Sequence, residues 1–553
     1  MQTVLYSIIL LFTSSVLLLI GCGGPIEHQL TSQEEADCLA LTRINNLTIT
    51  SAELMEATDS MPQYCYVKGL IAPAIFYHVQ LPLPNNWNGR FLQWGDGGKD
   101  GDLDFADHRV TEGYAVANSN TGHDSGSEPS ASFGFNNRQA EIDYGYRSVH
   151  LTVNAAKTVV KNYYAQEPAY SYLEGCSTGG NQGLTEAQRY PYDFDGIIAG
   201  APVLHYQATN ISHAFMLKKV FQNNFEANLA FDTDGNGLPD SLTKLKMLEQ
   251  AVLEKCDGND GIIDKVIDNP LNCNFDPSTD LANMMCNNDV DADNCFTKAQ
   301  LQTIKDIYRG PYDSKEISIL KGKSFGSEWA WPASNIPHEG NSLFPINLGY
   351  IQNHFNFIFY EEDPGIPPPD VTDLSYVPDK NSTPPEYAWW EFDMDDVTAG
   401  KGRLMMSIFD AVDPNLTRYL LKNGGKLMLY HGWSDFSPAP EPTLDYYTKM
   451  VDTVFEGDFE AAREHSRIFM LPGMGHCRGG PGPNSWDKLP ALVDWVENGN
   501  TPDYLVVTHS TDGVIDNERK VCAYPEQTVY NGPDGGENDP VNWVEENFIC
   551  QPM

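Results

Sequence analysis

Residues 169–189 constrain the fold of this chain more than any other stretch. Residues 169–173 read as a short strand, Gly175-Cys176-Ser177-Thr178-Gly179-Gly180 breaks it, and residues 181–189 can be helical. A serine on a sharp strand-to-helix turn needs glycines around it, because backbone and helix pack closely there and leave the hydroxyl exposed above a sheet. Upstream, residues 146–164 carry Val149, Val153, Ala156, Val159 and Val160 at helical spacing, preceded by strand patterns at 76–81, 90–94 and 114–117. Strand, helix, strand in that order predicts a parallel α/β sheet. Strand patterns resume at 426–430 and 467–471, each running into a glycine-bearing loop of the kind that presents functional side chains.

Between residues 205 and 398 the pattern changes to acidic Asp/Asn/Gly loops, scattered tryptophans and the cluster Pro364-Gly365-Ile366-Pro367-Pro368-Pro369. At 553 residues the chain is long enough for one large domain with an insertion. The expected organisation is a sheet domain over 22–204 and 399–553, an inserted lid over 205–398 and a leader over 1–21. That leader is apolar from Val4 to Ile20 apart from small hydroxyl residues and Tyr6, and it ends at Leu19-Ile20-Gly21-Cys22. It looks like a bacterial lipoprotein signal with lipid on Cys22, a plain secretory signal being the alternative. Either predicts an exported protein, secreted or held at an outer membrane only through that lipid.

The cysteines fit export. Setting Cys22 aside from the 11 leaves ten, and an even remainder in an exported chain suggests five disulfides. The near neighbours Cys256/Cys273, Cys286/Cys295 and Cys522/Cys550 are the local candidates. Charge narrows the partners: 35 Lys+Arg against 76 Asp+Glu gives a net −41, a field that repels phosphate backbones and argues against nucleic acid.

A serine hydroxyl is a poor nucleophile until a histidine removes its proton, and that histidine needs a carboxylate to fix its tautomer. Asp435 follows the strand pattern at 426–430 in Tyr430-His431-Gly432-Trp433-Ser434-Asp435. His476 follows the next in Leu471-Pro472-Gly473-Met474-Gly475-His476-Cys477. The order Ser177, Asp435, His476 is that of the α/β-hydrolase fold, whereas His123 and His431 precede Asp435 and fall outside it. Cys176 adjoins the candidate nucleophile and Cys477 the candidate base. A bond between them would hold both loops within disulfide reach, although each could instead pair elsewhere. Oxyanion donors are expected from the Thr178 N–H and from Gly97 or Gly98 in the loop after an early strand.

These residues resemble the tannase and feruloyl esterase family. Further similar stretches are Gly113-Tyr114-Ala115-Val116-Ala117, Asp143-Tyr144-Gly145-Tyr146, Glu186-Ala187-Gln188-Arg189-Tyr190-Pro191 and Asp193-Phe194-Asp195-Gly196. The resemblance implies an α/β-hydrolase fold with a large inserted lid, Ser177 as nucleophile, Asp435 as acid, His476 as base and a Cys176–Cys477 bond. It also implies a serine esterase that hydrolyses small or polymer-linked esters of aromatic acids, of hydroxycinnamic or gallic type, through an acyl-enzyme. An alternative is a terephthalate monoester. Its free carboxylate favours an arginine clamp, yet no Arg stands between Arg309 and Arg403, while lysines remain available.

Residues 256–266 place carboxylates at short spacing with glycines for the bend, as hard oxygen-ligand calcium loops do. Similarity to the family's loop implies a structural Ca2+ held by the Asp257, Asp260 and Asp264 side chains and the Ile262 and Val266 carbonyls. Lys265 stands where a glycine is usual. A second loop, from Asp232 to Asp240, resembles a calcium repeat and equally reads as a solvated acidic turn. Trp329, Trp331, Trp389 and Trp390 are candidate pocket walls or core residues. The rival from another class is a calcium-binding surface lipoprotein that binds a polymer without turning it over.

Overall fold

Nine strands form one sheet in the order β1-β2-β3-β5-β4-β6-β7-β8-β9. In chain order they are β1 Thr48–Met55, β2 Tyr64–Ile71, β3 Ile75–Pro82, β4 Arg90–Trp94, β5 Ala115–Ser119, β6 Tyr170–Cys176, β7 Gly196–Gly200, β8 Lys426–Gly432 and β9 Ser466–Leu471. The computed structural model describes residues 32–363, 365 and 388–553. The leader with Cys22, and the proline cluster apart from Gly365, lie outside the described residues.

Strands β1 to β3 pair antiparallel, β3 joins β5 antiparallel, and every pairing from β5 through β4 to β9 is parallel. Every residue of β5 and β7 is buried, because helices cover both faces of the parallel part and leave no polar side to the strand. On one face the helix Ser148–Tyr164 packs Val149, Val153, Ala156, Val159 and Val160 onto Phe91, Ala117 and Leu173. On the other, Leu492 and Trp495 of the helix Leu489–Asn498 meet Tyr172, Ile198 and Met428. This is an α/β-hydrolase sheet, with β6 near its middle. Two antiparallel hairpins complete the C-terminal part, β10 Tyr504–Thr511 with β11 Val514–Cys522, and β12 Glu526–Tyr530 with β13 Phe548–Pro552.

Residues 206–409 contribute no strand to that sheet among the described residues. The helices Tyr206–Phe225, Thr243–Cys256 and Lys298–Arg309, with several short ones, enclose a separate apolar cluster that includes Phe215, Leu248, Ile304, Trp331 and Trp389. The acidic loops read from the sequence are therefore the connections of a helical segment. Trp331 and Trp389 are fully buried in its core, which removes them as pocket walls.

Five disulfides are present: Cys38–Cys65, Cys176–Cys477, Cys256–Cys273, Cys286–Cys295 and Cys522–Cys550. Among the described residues no helix is long and apolar enough to cross a membrane.

The helix Thr178–Arg189 reaches the sheet only because glycine lines its first turn. A Cβ on Gly180 would stand 2.3 Å from the Gly200 carbonyl oxygen and 3.0 Å from Pro202 Cα, and both are backbone atoms that cannot swing aside. Alanine ordinarily favours a helix over glycine by up to about 1 kcal/mol. Here the clash outweighs that gain, so Gly180→Ala is expected to lower unfolding free energy by about 1–3 kcal/mol in a urea titration.

Candidate active site

Ser177 sits at the tip of β6 with φ 64° and ψ −121°, a left-handed region that non-glycine residues rarely occupy. Neighbouring backbone overdetermines this strained turn. The Ser177 N–H donates to the Gly200 carbonyl at 2.9 Å, and the Ser177 carbonyl accepts from Asn181 N at 3.1 Å and Val203 N at 3.2 Å. The helix can begin directly after the serine because Gly179 has no Cβ, which would lie 2.8 Å from the Asp96 carbonyl oxygen.

The structure brings Ser177, His476 and Asp435 together from three strand ends. Ser177 Oγ–H donates to His476 Nε2 at 2.7 Å, and His476 Nδ1–H donates to Asp435 Oδ2 at 2.7 Å. Asp435 is fully buried and accepts two more hydrogen bonds, from Ser437 N at 2.7 Å and from His431 Nε2–H at 3.1 Å. Burial alone would raise its pKa. Electrostatic attraction to His476 and the hydrogen bonds of both imidazoles outweigh that and hold the carboxyl below its ordinary range. His431 is thus a second partner of Asp435, its Nδ1 accepting from Thr443 Oγ1 at 2.9 Å, and it does not touch Ser177. The Asp435 and His476 loops are laced by Trp433 N to Leu471 O at 2.8 Å and Ser434 N to Met474 O at 3.0 Å. The Cys176–Cys477 disulfide, with 6.0 Å between Cα atoms, joins the residue before the serine to the residue after the histidine.

A cavity of about 310 Å³ opens on Ser177, lined by Gly98, Lys99, Thr178, Val203, Tyr206, His213 and Tyr350 among others. Gly98 lines this cavity together with Ser177, and Gly97 is not among its lining residues. The Gly98 carbonyl accepts from Thr178 Oγ1 at 2.7 Å and from Tyr144 OH at 2.9 Å, which holds this loop over the start of the helix. Aromatic walls come from Tyr206 and Tyr350, not from the four tryptophans. Trp329 instead lays its indole against Gly475 and Gly480, beside His476. Sequence reading missed Lys99, Tyr206, His213 and Tyr350, since each reaches the cavity through a fold contact that no local spacing encodes. A larger cavity of about 880 Å³ lies between the 256–273 loop and the C-terminal hairpins, lined by Trp433, Met470, Tyr524 and Met553, and it excludes the serine.

The helical segment is fastened to the Asp435 loop. Lys323 Nζ donates to the Phe436 and Ser437 carbonyls at 2.6 and 2.7 Å, and Ser434 Oγ–H donates to the Gly326 carbonyl at 2.8 Å. Glu328 closes the 326–328 turn, accepting from Gly326 N at 3.0 Å and from Tyr308 OH at 2.7 Å. Burial raises its pKa to about 7. A carboxyl raised above its unfolded value of about 4.3 contributes stability that is full below that pH and lost as pH rises through 7. Glu328→Gln lacks this slope. Its Tm relative to the unmodified protein is expected to improve between pH 5 and pH 8 in thermal melts, and an unchanged difference would count against the assignment.

In the acidic loop, Asp257 Oδ1 accepts from Asp264 N and Lys265 N at 3.2 Å each, and Asp260 Oδ1 accepts from Ile262 N at 3.2 Å. Arg519, fully buried, donates to Asp264 Oδ2 at 2.7 Å and also pairs with Asp268. Burial, and after it the neighbouring carboxylates, raise Asp257 to about 6 and Asp260 to about 9. Carboxylates and carbonyls such as those of Asp257, Asp260, Asp264, Ile262 and Val266 are the donor type a hard cation takes, but the three aspartates are not among the described groups whose ligand atoms gather within 4.8 Å of one another, and Asp264 is paired with Arg519. The Asp232 loop closes on itself, Asp232 accepting from Gly235 N and Gly237 N at 2.8 Å each. Elsewhere, His150, Glu186 and Asp193 bring one ligand atom each within 4.8 Å of one another, a largely buried cluster able to coordinate a metal ion.

Comparison with known proteins agrees with this architecture. The family model described as tannase and feruloyl esterase matches residues 61–542. The chain is 31% identical to a mono(2-hydroxyethyl) terephthalate hydrolase of Piscinibacter sakaiensis, over 90% of this chain and 87% of that protein. It is 29% identical to a probable feruloyl esterase B-1 of Aspergillus terreus, over 81% of this chain and 80% of that one. The crystal structure of feruloyl esterase B from Aspergillus oryzae superposes with a TM-score of 0.74 at 22% identity, over 94% of this chain and 100% of that one. A strained serine turn on a parallel sheet, a histidine and a buried aspartate at the next strand ends, and these matches have one reading: the chain belongs to the tannase and feruloyl esterase family of the α/β-hydrolase superfamily, and it is a carboxylesterase of that type.

Proposed function

We propose that this esterase cleaves esters of aromatic acids through an acyl-enzyme on Ser177. The observation that supports it is the unbroken line of two 2.7 Å hydrogen bonds from Ser177 Oγ through His476 to Asp435. His476 Nε2 takes the hydroxyl proton as Ser177 Oγ attacks the ester carbonyl, and Asp435 stabilises the imidazolium that results. The oxyanion is met by the Thr178 N–H and by an N–H of the Gly97-Gly98 loop, of which Gly98 borders the cavity. His476 then protonates the leaving alcohol, and water, deprotonated by the same nitrogen, releases the acid. Residues 205–398 serve as a lid whose Tyr206, His213 and Tyr350 shape the acid pocket. Asn210 Oδ1 and His213 Nδ1, buried in residues that line the cavity and without a hydrogen-bond partner among the described residues, suit a substrate that carries polar groups on its ring.

The named relatives divide between feruloyl and terephthalate esters, and both remain within this reading. Lys99 favours the second, because it puts a cationic side chain in the wall of the cavity that contains Ser177, where the 309–403 stretch offers no arginine. The test is release of ferulate, gallate and terephthalate from their methyl or hydroxyethyl esters, by the native protein and by Ser177→Ala. At least one acid should be released, and the variant should lose kcat on the order of 10⁵-fold. Equal rates for the two proteins would refute the serine mechanism.

Calcium, in this reading, is held by Asp257, Asp260, Asp264 and the Ile262 and Val266 carbonyls, and it neutralises the loop's crowded carboxylates without entering the reaction. Chelation should lower Tm by about 3 °C or more, with added calcium restoring it. Asp264→Ala should abolish the response, and a Tm indifferent to chelation in the native protein would remove calcium from the assignment.

A further inference from the structure

Lys99 occupies an unusual place in the wall of the serine cavity. Its Nζ donates to Tyr206 OH at 2.9 Å and lies 3.2 Å from His354 Nδ1. The direction of both bonds is fixed from their far ends. Tyr144 OH must donate to the Gly98 carbonyl at 2.9 Å, so across the 3.1 Å contact it accepts from Tyr206, which leaves Tyr206 to accept from Lys99. His354 Nε2–H donates to Gln207 Oε1 at 2.8 Å, which leaves Nδ1 as the acceptor for Lys99.

An ammonium carries three N–H donors, and these contacts use two. Both partners are neutral: burial drives His354 well below its ordinary pKa and drives Tyr206 above its own. Among the described residues no carboxylate pairs with Lys99, and burial lowers its own pKa to about 7. A desolvated cation with neutral partners and one unspent donor on a cavity wall is incomplete without an anion. Lys99 lines the same cavity as Ser177.

We propose that Lys99 is an anion subsite of the acid pocket and selects acyl groups bearing a second, free carboxylate, namely monoesters of aromatic dicarboxylic acids. The inference rests on the acyl-enzyme reading above for its site, not for its binding chemistry. The carboxylate takes the third N–H in a charge-assisted bond, while Tyr206 and His354 hold the ammonium in place. A neutral diester of the same acid presents only an ester oxygen there and leaves the ammonium unpaired.

The experiment compares kcat/KM for monomethyl and dimethyl terephthalate in the native protein, Lys99→Met and Lys99→Gln. Glutamine retains a donor toward Tyr206 or His354 and removes the charge. The ratio of monoester to diester should fall about tenfold or more in both variants, as for loss of one hydrogen bond to a charged group. A smaller fall in either folded variant overturns the proposal. So does an equal loss on methyl ferulate measured against its O-methylated analogue, which would make Lys99 a phenol-binding residue. Binding of monomethyl terephthalate by calorimetry to Ser177→Ala, with and without Lys99→Gln, separates the two readings. Lys99-dependent binding to Ser177→Ala, with no ester hydrolysed by the native protein, would leave the subsite standing and refute the esterase mechanism, whereas binding indifferent to Lys99 would refute the subsite.

Discussion

The buried Asp435 carboxylate is the interaction around which the rest of the site is arranged. A fully desolvated carboxylate is tolerated only when its oxygens are saturated with donors, and Asp435 draws them from His476, His431 and the Ser437 backbone. Two imidazoles share one oxygen. His476 looks outward to the serine, whereas His431 is anchored behind by Thr443. The second histidine keeps the carboxylate from rotating toward any other partner, so the outward imidazole keeps one tautomer and one direction. A residue outside the α/β-hydrolase order of serine, acid and histidine thereby becomes part of what holds that order together.

The same loop ties the two halves of the molecule. Lys323 reaches from the helical segment to the carbonyls of Phe436 and Ser437, and Ser434 reaches back to Gly326. Trp329 covers Gly475 and Gly480 on the far side. The helical segment is consequently not a flap hinged at its ends, because its middle is bonded to the strand-end loops that carry the aspartate and the histidine. Shape of the acid pocket and alignment of the serine line are set by one set of contacts.

Much of this was legible in the sequence, and the parts that were not share a physical cause. The serine turn could be read because glycines at 175, 179 and 180 announce close backbone approach, and β6, β8 and β9 because parallel strands buried on both faces are apolar runs. Strand β1 was missed because it lies at the sheet edge with a single buried residue, and β7 because its five residues begin and end in glycine. The near-neighbour disulfides followed from spacing alone. Pocket residues were beyond reach for a different reason. Tyr206, His213 and Tyr350 belong to helices that meet the serine only through tertiary packing, and Lys99 is one position past glycines whose role could be guessed, with nothing in its neighbourhood to mark it as a wall. The tryptophans misled in the opposite direction, since a large ring is as useful to a core as to a pocket, and Trp331 and Trp389 serve the core.

The bond between Cys176 and Cys477 spans 301 positions of the chain. Its neighbours are the serine and the histidine, so Asp435 and the cavity helices lie on one covalent ring closed beside the reacting atoms, and the Gly98–Lys99 loop reaches the site from outside it. A break in the chain at any exposed point of that ring, such as a connection between the outer helices, opens the ring without parting its ends. Both flanks of the cut stay tethered where Ser177 meets His476. The clasp sits where a severed backbone can least afford to drift.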